Sequence, residues 1–340
     1  MSKPRLTVLM PTYNVAPYVR EAIESVLAQT FTDFLLLVVD DCSTDNTLEV
    51  VSSIDDPRLR IVQNDRNVGL ADNLNRGLEI IDSELFARMD GDDIALPHWL
   101  ASEVAVLDAH PEVGVCGGGF ERFGTVKSLV RFPKGHDAIA ANMLFECTTI
   151  VPTVRTEVIR RHNLRYRTDA FPAEDYRFWA DCLRVTRFAN VADTLFLYRM
   201  HPTQICSSRR EEQQNKVAEV RRYMLQWLSD ELTDNEMDYF CMQFVNSTID
   251  SKDDLRQRQA FANRLLELNE HNHRIEPKAL ESRIEKHLHL ALYQTVVDTH
   301  FADGYSLPNY FRYLRSGFAL RTGAKYETKF LAKSLLHKKA

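Results

Sequence analysis

Phe34-Leu-Leu-Leu-Val-Val-Asp-Asp-Cys-Ser-Thr-Asp45 is an unbroken apolar run that stops abruptly in carboxylates and hydroxyls. A strand covered on both faces of a parallel sheet reads this way, because neither face meets water. Leu6-Thr-Val-Leu-Met10 has the same character before it, and Leu59-Arg-Ile-Val62, Leu85-Phe-Ala-Arg-Met89 and Val113-Gly-Val-Cys116 have it after. Between the first two runs, Val19, Ala22, Ile23, Val26 and Leu27 repeat at helical spacing. Pro17 sits in the opening turn, where its missing N–H costs nothing. Leu70, Leu74, Leu78 and Ile81 mark a second helix, and Pro97 opens a third that runs to about Ala109. Strand, helix, strand in this order predicts right-handed crossovers and an α/β fold on a mainly parallel sheet.

Past residue 120 the rhythm loosens. Helices are expected over 136–145, 155–162 and 174–184, with short strands near 187–191 and 195–200. From about Ser207 the pattern turns helical and charged. The expected division is therefore an α/β domain over 1–208 and a helical C-terminal region over 209–340, which suits the 340-residue length. A hydrophobic content of 44% with 26% charged residues is that of a soluble globular chain. Lys and Arg total 42 against 48 Asp and Glu, a net charge of -6, which argues against a general nucleic-acid coat. The six cysteines include no C-x-x-C pair, so free thiols are expected rather than a zinc or dithiol motif. Leu6 to Met10 is too short for a signal core, and no stretch reaches the roughly 20 apolar residues of a membrane span. A cytoplasmic location follows as the expectation.

In open α/β sheets ligands sit beyond the carboxyl ends of the strands. Three such ends carry notable residues: Pro11-Thr12-Tyr13-Asn14, Asp40-Asp41-Cys42-Ser43-Thr44-Asp45 and Asp90-Gly91-Asp92-Asp93. Mg²⁺ or Mn²⁺ takes one or two carboxylates while substrate phosphates and water complete its shell. Asp90 and Asp92 suit that task, since alternate residues of an extended loop can point the same way. The same turn also reads as a solvated loop or the cap of the helix opening at Pro97. Asp41 can accept a nucleobase N–H, while Ser43 or Asp45 caps the helix starting near Thr47. Tyr13 either stacks on a base or fills the core. Glu174 and Asp175 open a helix, where they complement its dipole or where one serves as a general base. Tyr198-Arg199-Met200-His201 follows a strand and offers a phenol, a cation and an imidazole for phosphate or metal contact.

Read in order, P-T-Y-N, V-D-D-x-S-T-D-x-T, N-x-G-L, D-G-D-D-x-x-x-P, A-E-D-Y-x-F-W and Y-R-x-H resemble the family 2 glycosyltransferases of the GT-A fold, over about 200 residues. Arg88 to Pro97, Ala173 to Trp179 and Tyr198 to Gln204 are similar to the bacterial lipooligosaccharide β-1,3-N-acetylglucosaminyl- and galactosaminyltransferases. The resemblance implies that Pro11, Tyr13 and Asp41 contact uridine and that Asn67 and Gly69 lie on the loop beside the nucleotide. It puts Asp90 and Asp92 at the sugar and Mn²⁺ or Mg²⁺ site, with His201 as a further metal ligand, and Arg199 over the diphosphate. Asp175 falls on the inverting base. Cys42 and Asn46 stand where the family usually has glycine. Thr148 to Arg155 departs from the closer relatives, which carry His and Asn before the arginine, so acceptor and linkage stay open.

The implied reaction is a single in-line displacement. Asp175 takes the proton of an acceptor hydroxyl as its oxygen attacks the anomeric carbon of a UDP-sugar, such as UDP-GlcNAc, with a glycan or glycolipid of the cell surface as acceptor. Two rivals are a nucleotidyltransferase of the sugar-nucleotide pyrophosphorylase type, which needs a glycine-rich loop that Tyr13-Asn14-Val15-Ala16 does not supply, and a non-catalytic nucleotide-binding scaffold, which predicts loss of the acids that are present. The charge is unevenly spread. Residues 311–340 hold eight basic groups against Glu327 alone, +7, so the remaining 310 residues carry -13. Phe311, Leu314, Phe318, Phe330, Leu331, Leu335 and Leu336 interleave those cations, as in amphipathic helices on an anionic inner leaflet, or in a basic helix packed on its own domain.

Overall fold

The computed structural model describes residues 3–201, 209–315 and 324–336, and no side chains for 324–326. Pro202 to Gln204 of the last motif, with Phe318, Arg321, Lys338 and Lys339 of the basic tail, lie outside the described residues. The strands β1 (Leu6–Thr12), β2 (Phe34–Asp40), β3 (Leu59–Gln63) and β4 (Leu85–Arg88) pair in parallel in the order β3-β2-β1-β4. Helices α1 (Val19–Leu27), α2 (Thr47–Ser52) and α3 (Leu70–Ile80) make the crossovers. Thr12 pairs with Asp40 and Asp40 with Gln63, so these strands end level along one edge. β1 is buried throughout, as its apolar run requires, whereas β3 is only half-buried because it lies at the margin of the sheet.

Beyond β4 the sheet becomes mixed. β5 is Ile94–Ala95, β6 Val113–Gly124, β7 Ser128–Val130, β8 Thr153–Arg155 and β9 Arg187–Met200. β8 runs antiparallel between β4 and β6, β9 lies parallel to β6, and β5 closes against β9. The two short strands expected near 187–191 and 195–200 are one continuous strand, and β6 extends well past Cys116. Gly117-Gly118-Gly119 hid this continuity, since three glycines carry no alternation. They are needed there: a Cβ on Gly118 would come within 2.4 Å of a Leu195 methyl, and one on Gly119 within 2.7 Å of the Val130 carbonyl. The pairing of β6 with β9 changes register at the same glycines.

The expected helices after residue 95 appear as α4 (Trp99–Ala109), α5 (His136–Asn142), α6 (Thr156–Arg161) and α7 (Glu174–Leu183). The main core joins β1, β2 and β4 to Ala22, Ile23 and Val26 of α1 and Trp99, Leu100 and Val104 of α4. The chain divides into two compact units, Met1–Val220 and Arg221–Ala340. The second contains helices Lys252–Asn272, Pro277–His300, Leu307–Arg315 and Ala324–Leu335, around a core that includes Phe301, Tyr305, Tyr313 and Phe330. Among the described residues no helix is long and apolar enough to cross a membrane. Cys42, Cys116, Cys147, Cys182 and Cys241 are free thiols, and Cys206 lies outside the described residues.

Cys42 takes φ +58°, a left-handed conformation that costs a non-glycine residue about 1–2 kcal/mol. Replacing Cys42 by Gly relieves that strain and adds backbone entropy to the unfolded chain, so C42G is expected to raise stability by up to about 1 kcal/mol. C42V, β-branched at the same φ, is expected to lower it. Urea midpoints for the two variants check this, and equal losses in both would refute a conformational cause.

Candidate active site

The carboxyl edge is assembled from loops that hydrogen-bond one another's backbones. Asn14, at φ +53°, accepts the N–H of Thr44 at 2.8 Å and that of Asp45 at 3.3 Å through its Oδ1. The Asp45 carboxylate returns the tie, accepting from Ala16 N at 3.1 Å and Thr47 N at 2.9 Å. Tyr13 immediately precedes the Asn14 anchor with 46% of its surface exposed, which makes it a surface ring rather than a core one. Asp41 is 2% exposed. Its Oδ1 accepts from Val68 N and Asn64 Nδ2 and its Oδ2 from Gly69 N, all within 2.9 Å. This carboxylate therefore shapes the 64–69 loop, placing Asn67 on the surface and Gly69, at φ +89°, at the mouth of α3. Pro11 is buried at the end of β1.

The Asp90-Gly91-Asp92-Asp93 segment is a turn, not an extended loop, and its carboxylates part company. Asp90 Oδ1 accepts from Arg88 Nη2 at 2.8 Å, whereas Asp92 Oδ2 lies 3.1 Å from His201 Nε2. Gly91 fits where a Cβ would approach the Thr12 methyl at 3.1 Å and the Val15 methyl at 3.3 Å. The end of β9 straps the turn down: Arg199 N donates to Asp93 Oδ1 at 2.9 Å and Arg199 Nε to the Asp92 carbonyl at 2.8 Å. The Arg199 guanidinium also pairs with Glu21 at 2.5 Å and lies 5.0 Å from the Tyr18 ring centre and 4.6 Å from that of Phe123. In this arrangement Arg199 holds the turn. His201 packs against the Tyr18 ring at 4.8 Å.

On the other side of Asp90 stands the helix start. Arg88 ends β4 with 6% exposure, and its Nη1 makes an ion pair with Asp175 Oδ1. Asp175 keeps 38% of its side chain exposed, so the carboxylate is held from within and open from without. Glu174, Tyr166 and Arg88 each bury a polar atom, Oε2, the phenol oxygen and Nε, that has no hydrogen-bond partner among the described residues. Burial pushes Glu174 up to about 8, with the Asp175 charge adding to the rise. Burial also pushes Asp90 up to about 6, against the pull of Arg88 and with the push of Asp175 and Asp92. Asp93 rises for the same reasons, burial first and then its neighbours Asp92 and Asp90. Arg88 is driven the opposite way from ordinary burial: desolvation weakens its hold on its proton, and Asp175 and Asp90 more than offset this.

Of the expected residues, the structure brings Asp92, Arg199 and His201 into one contact group and joins Asp90 to Asp175 through Arg88 in another. Pro11, Tyr13, Asp41, Asn67 and Gly69 form the adjoining rim. Arg88 is the residue that sequence reasoning passed over: a lone arginine in an apolar strand is itself a signal, since a buried charge needs a partner.

A mainly parallel α/β sheet whose carboxyl edge gathers acids beside an exposed tyrosine has them where such sheets bind their ligands. Residues 7–168 match the family model described as Glycosyl transferase family 2. An uncharacterized glycosyltransferase of Haemophilus influenzae is 32% identical over 236 residues, 64% of this chain and 72% of that protein. One from Methanocaldococcus jannaschii is 26% identical over 211 residues, 59% of this chain and 72% of its own. Among solved structures, S. aureus TarS 1–349 in complex with UDP-GlcNAc superposes with a TM-score of 0.57 at 18% identity, covering 96% of this chain and 92% of that one. The mannosyltransferase PcManGT of Pyrobaculum calidifontis, in complex with GDP-Man and Mn²⁺, gives 0.52 at 18% identity, with 99% and 87% covered. The chain belongs to glycosyltransferase family 2. It is a glycosyltransferase, which sets aside the pyrophosphorylase and scaffold readings.

Glu174 makes stability depend on pH in a definite direction. Below about pH 4.5, the usual glutamate value, both folded and unfolded chains hold its proton and it contributes nothing. From there to about 8 the unfolded chain ionises while the folded one does not, so stability falls as pH rises, and above 8 the loss is constant. E174Q is expected to remove this slope and to melt higher than wild type at pH 8. Melting temperatures at pH 5 and pH 8 check it, and an unchanged slope in E174Q would assign the effect elsewhere.

Proposed function

We propose that this glycosyltransferase is an inverting enzyme that moves GlcNAc, or another hexosamine or hexose, from a UDP-sugar to a hydroxyl of a bacterial lipooligosaccharide or other surface glycan. The observation that carries the reading is the Asp175 carboxylate, pinned from behind by Arg88 and open in front, at the same edge as Asp90 and Asp92. Asp175 takes the proton of the attacking hydroxyl as the new glycosidic bond forms and the bond to the departing UDP breaks. Tyr13, exposed beside the Asn14 anchor, offers a ring for the uracil, and Asp41 keeps the 64–69 rim, with Asn67 and Gly69, in the shape that receives the nucleotide. The UDP and UDP-GlcNAc complexes of the similarly folded TarS support a uridine donor.

Among the described residues no three His, Cys, Asp or Glu side chains gather to hold a metal. Asp92 and His201 nonetheless fit a two-ligand site. They present a carboxylate oxygen and an imidazole nitrogen 3.1 Å apart, near the separation of about 3 Å between adjacent ligands of a six-coordinate Mg²⁺ or Mn²⁺. Such a site leaves positions for substrate phosphates, and PcManGT, solved with Mn²⁺, supports the choice of ion. When bound, the ion supplies Lewis-acid neutralisation of the diphosphate charge.

The basic tail supports a peripheral seat on an anionic inner leaflet. Phe311, Leu314, Leu331, Leu335 and Leu336 are exposed on helices whose Tyr313, Phe330 and Ser334 turn inward, and Arg312 and Arg315 share the outer surface. That placement suits a lipid-linked acceptor and a cytoplasmic enzyme.

D175N is expected to bind UDP like wild type and to lose at least about 100-fold in transfer with UDP-GlcNAc and a galactoside acceptor. Wild-type transfer would remove Asp175 from the base role. D92A is expected to weaken UDP binding in Mn²⁺ and to leave it unaltered in chelator, followed by calorimetry. F311S/L335S is expected to lose flotation with phosphatidylglycerol vesicles, and equal flotation with phosphatidylcholine would overturn the electrostatic part of that reading.

A further inference from the structure

We propose that Arg88 is a positioning residue whose guanidinium fixes the base carboxylate relative to the donor-side turn, so that one buried fork aligns both partners of the reaction. The inference rests on the reading of Asp175 as the base. Arg88 ends β4, which is held between β1 and β8, and Leu9 stands opposite it in the parallel register. It therefore cannot shift without the sheet. Its Nη2 binds Asp90 Oδ1 at 2.8 Å and its Nη1 binds Asp175 Oδ1, two carboxylates that arrive from separate elements, the turn after β4 and the first turn of α7. Only a planar guanidinium presents two nitrogens in fixed, different directions, whereas an ammonium is a point charge on a flexible stem.

Burial makes the arrangement obligatory in both directions. A guanidinium 6% exposed cannot remain without a facing carboxylate, and Asp90 and Asp175, which both face it, would repel each other without a cation between them. The groups that face Asp175 are Arg88 from β4, Asp90 from the following turn, Glu174 from its own helix, and the Tyr166 phenol and Cys147 thiol from the neighbouring loops. Among the described residues, Arg88 is the cation of that set. Removing it leaves the base among acids and apolar surface, free to rotate away and harder to ionise.

The test uses R88M, R88K, D175N and R88M/D175N in the full chain, with melting curves to confirm folding. R88M is expected to lower kcat by at least about 100-fold, to change UDP affinity by less than about tenfold, and to move the acid limb of the kcat profile to higher pH. R88K, which keeps charge without the fork, is expected to restore the acid limb but not kcat, and it serves alone if R88M does not fold. Because Arg88 acts through Asp175, R88M/D175N is expected to transfer within about threefold of D175N. A cost of R88M that multiplies in full on D175N, with the acid limb unmoved, would overturn the proposal by showing a merely structural role. If D175N is inactive but R88M transfers at the wild-type rate, the positioning role alone fails. If D175N itself transfers at the wild-type rate, the base assignment fails and the role of Arg88 with it.

Discussion

A positive charge buried at the end of a central strand has to be answered where it stands. Arg88 leaves β4 at the point where the sheet stops, and the two carboxylates that answer it belong to different parts of the chain. The energetics are those of a buried cation with two half-exposed partners. The guanidinium loses its hydration on folding, and the loss is recovered only if both carboxylates hold their geometry. Such a triad contributes little net stability, but it penalises any conformation in which α7 or the acidic turn drifts from β4. The fold of the first unit and the geometry of its edge are in this sense one requirement.

Around that centre the loops are tied mainly through backbone N–H groups. Asn14 and Asp45 join the turn after β1 to the turn after β2, Asp41 gathers Val68 and Gly69, and Asp93 receives the Arg199 amide. Each tie satisfies donors that a loop leaving a sheet would otherwise leave exposed to competition from water. The result is a rim with few degrees of freedom left to lose on binding a ligand, and preorganisation of that kind lowers the entropic cost of association.

The apolar runs from Leu6 to Arg88 were legible in the sequence because buried parallel strands need no alternation, and the helices between them because their spacing is regular. β6 and β9 were not, since three consecutive glycines erase any pattern and the pairing spans more than seventy residues. The acids of the site were legible as residue types at strand ends. Their partners were not. Asp90 and Asp92 diverge because the segment is a turn, and the turn is set by the close approach of Gly91 to Thr12 and Val15. Arg199 was legible as a cation that follows a strand beside a histidine, and its partners were not, since Glu21, Tyr18 and Phe123 converge on it from distant positions, which spacing along the chain does not encode.

The same partner choices bear on the need for a metal. Among the described residues, the cations bonded to the acidic turn, Arg88 and Arg199, are both engaged by carboxylates of the protein. Asp92 meanwhile faces an imidazole that carries no charge when it acts as a ligand. In the proposed reaction a diphosphate at this edge would add negative charge beside carboxylates, and like charges repel more strongly in a partly dry site than in water. A divalent cation held by Asp92 would offset that charge. The proposed cation thus fits the pairings that the fold has already made among its own side chains.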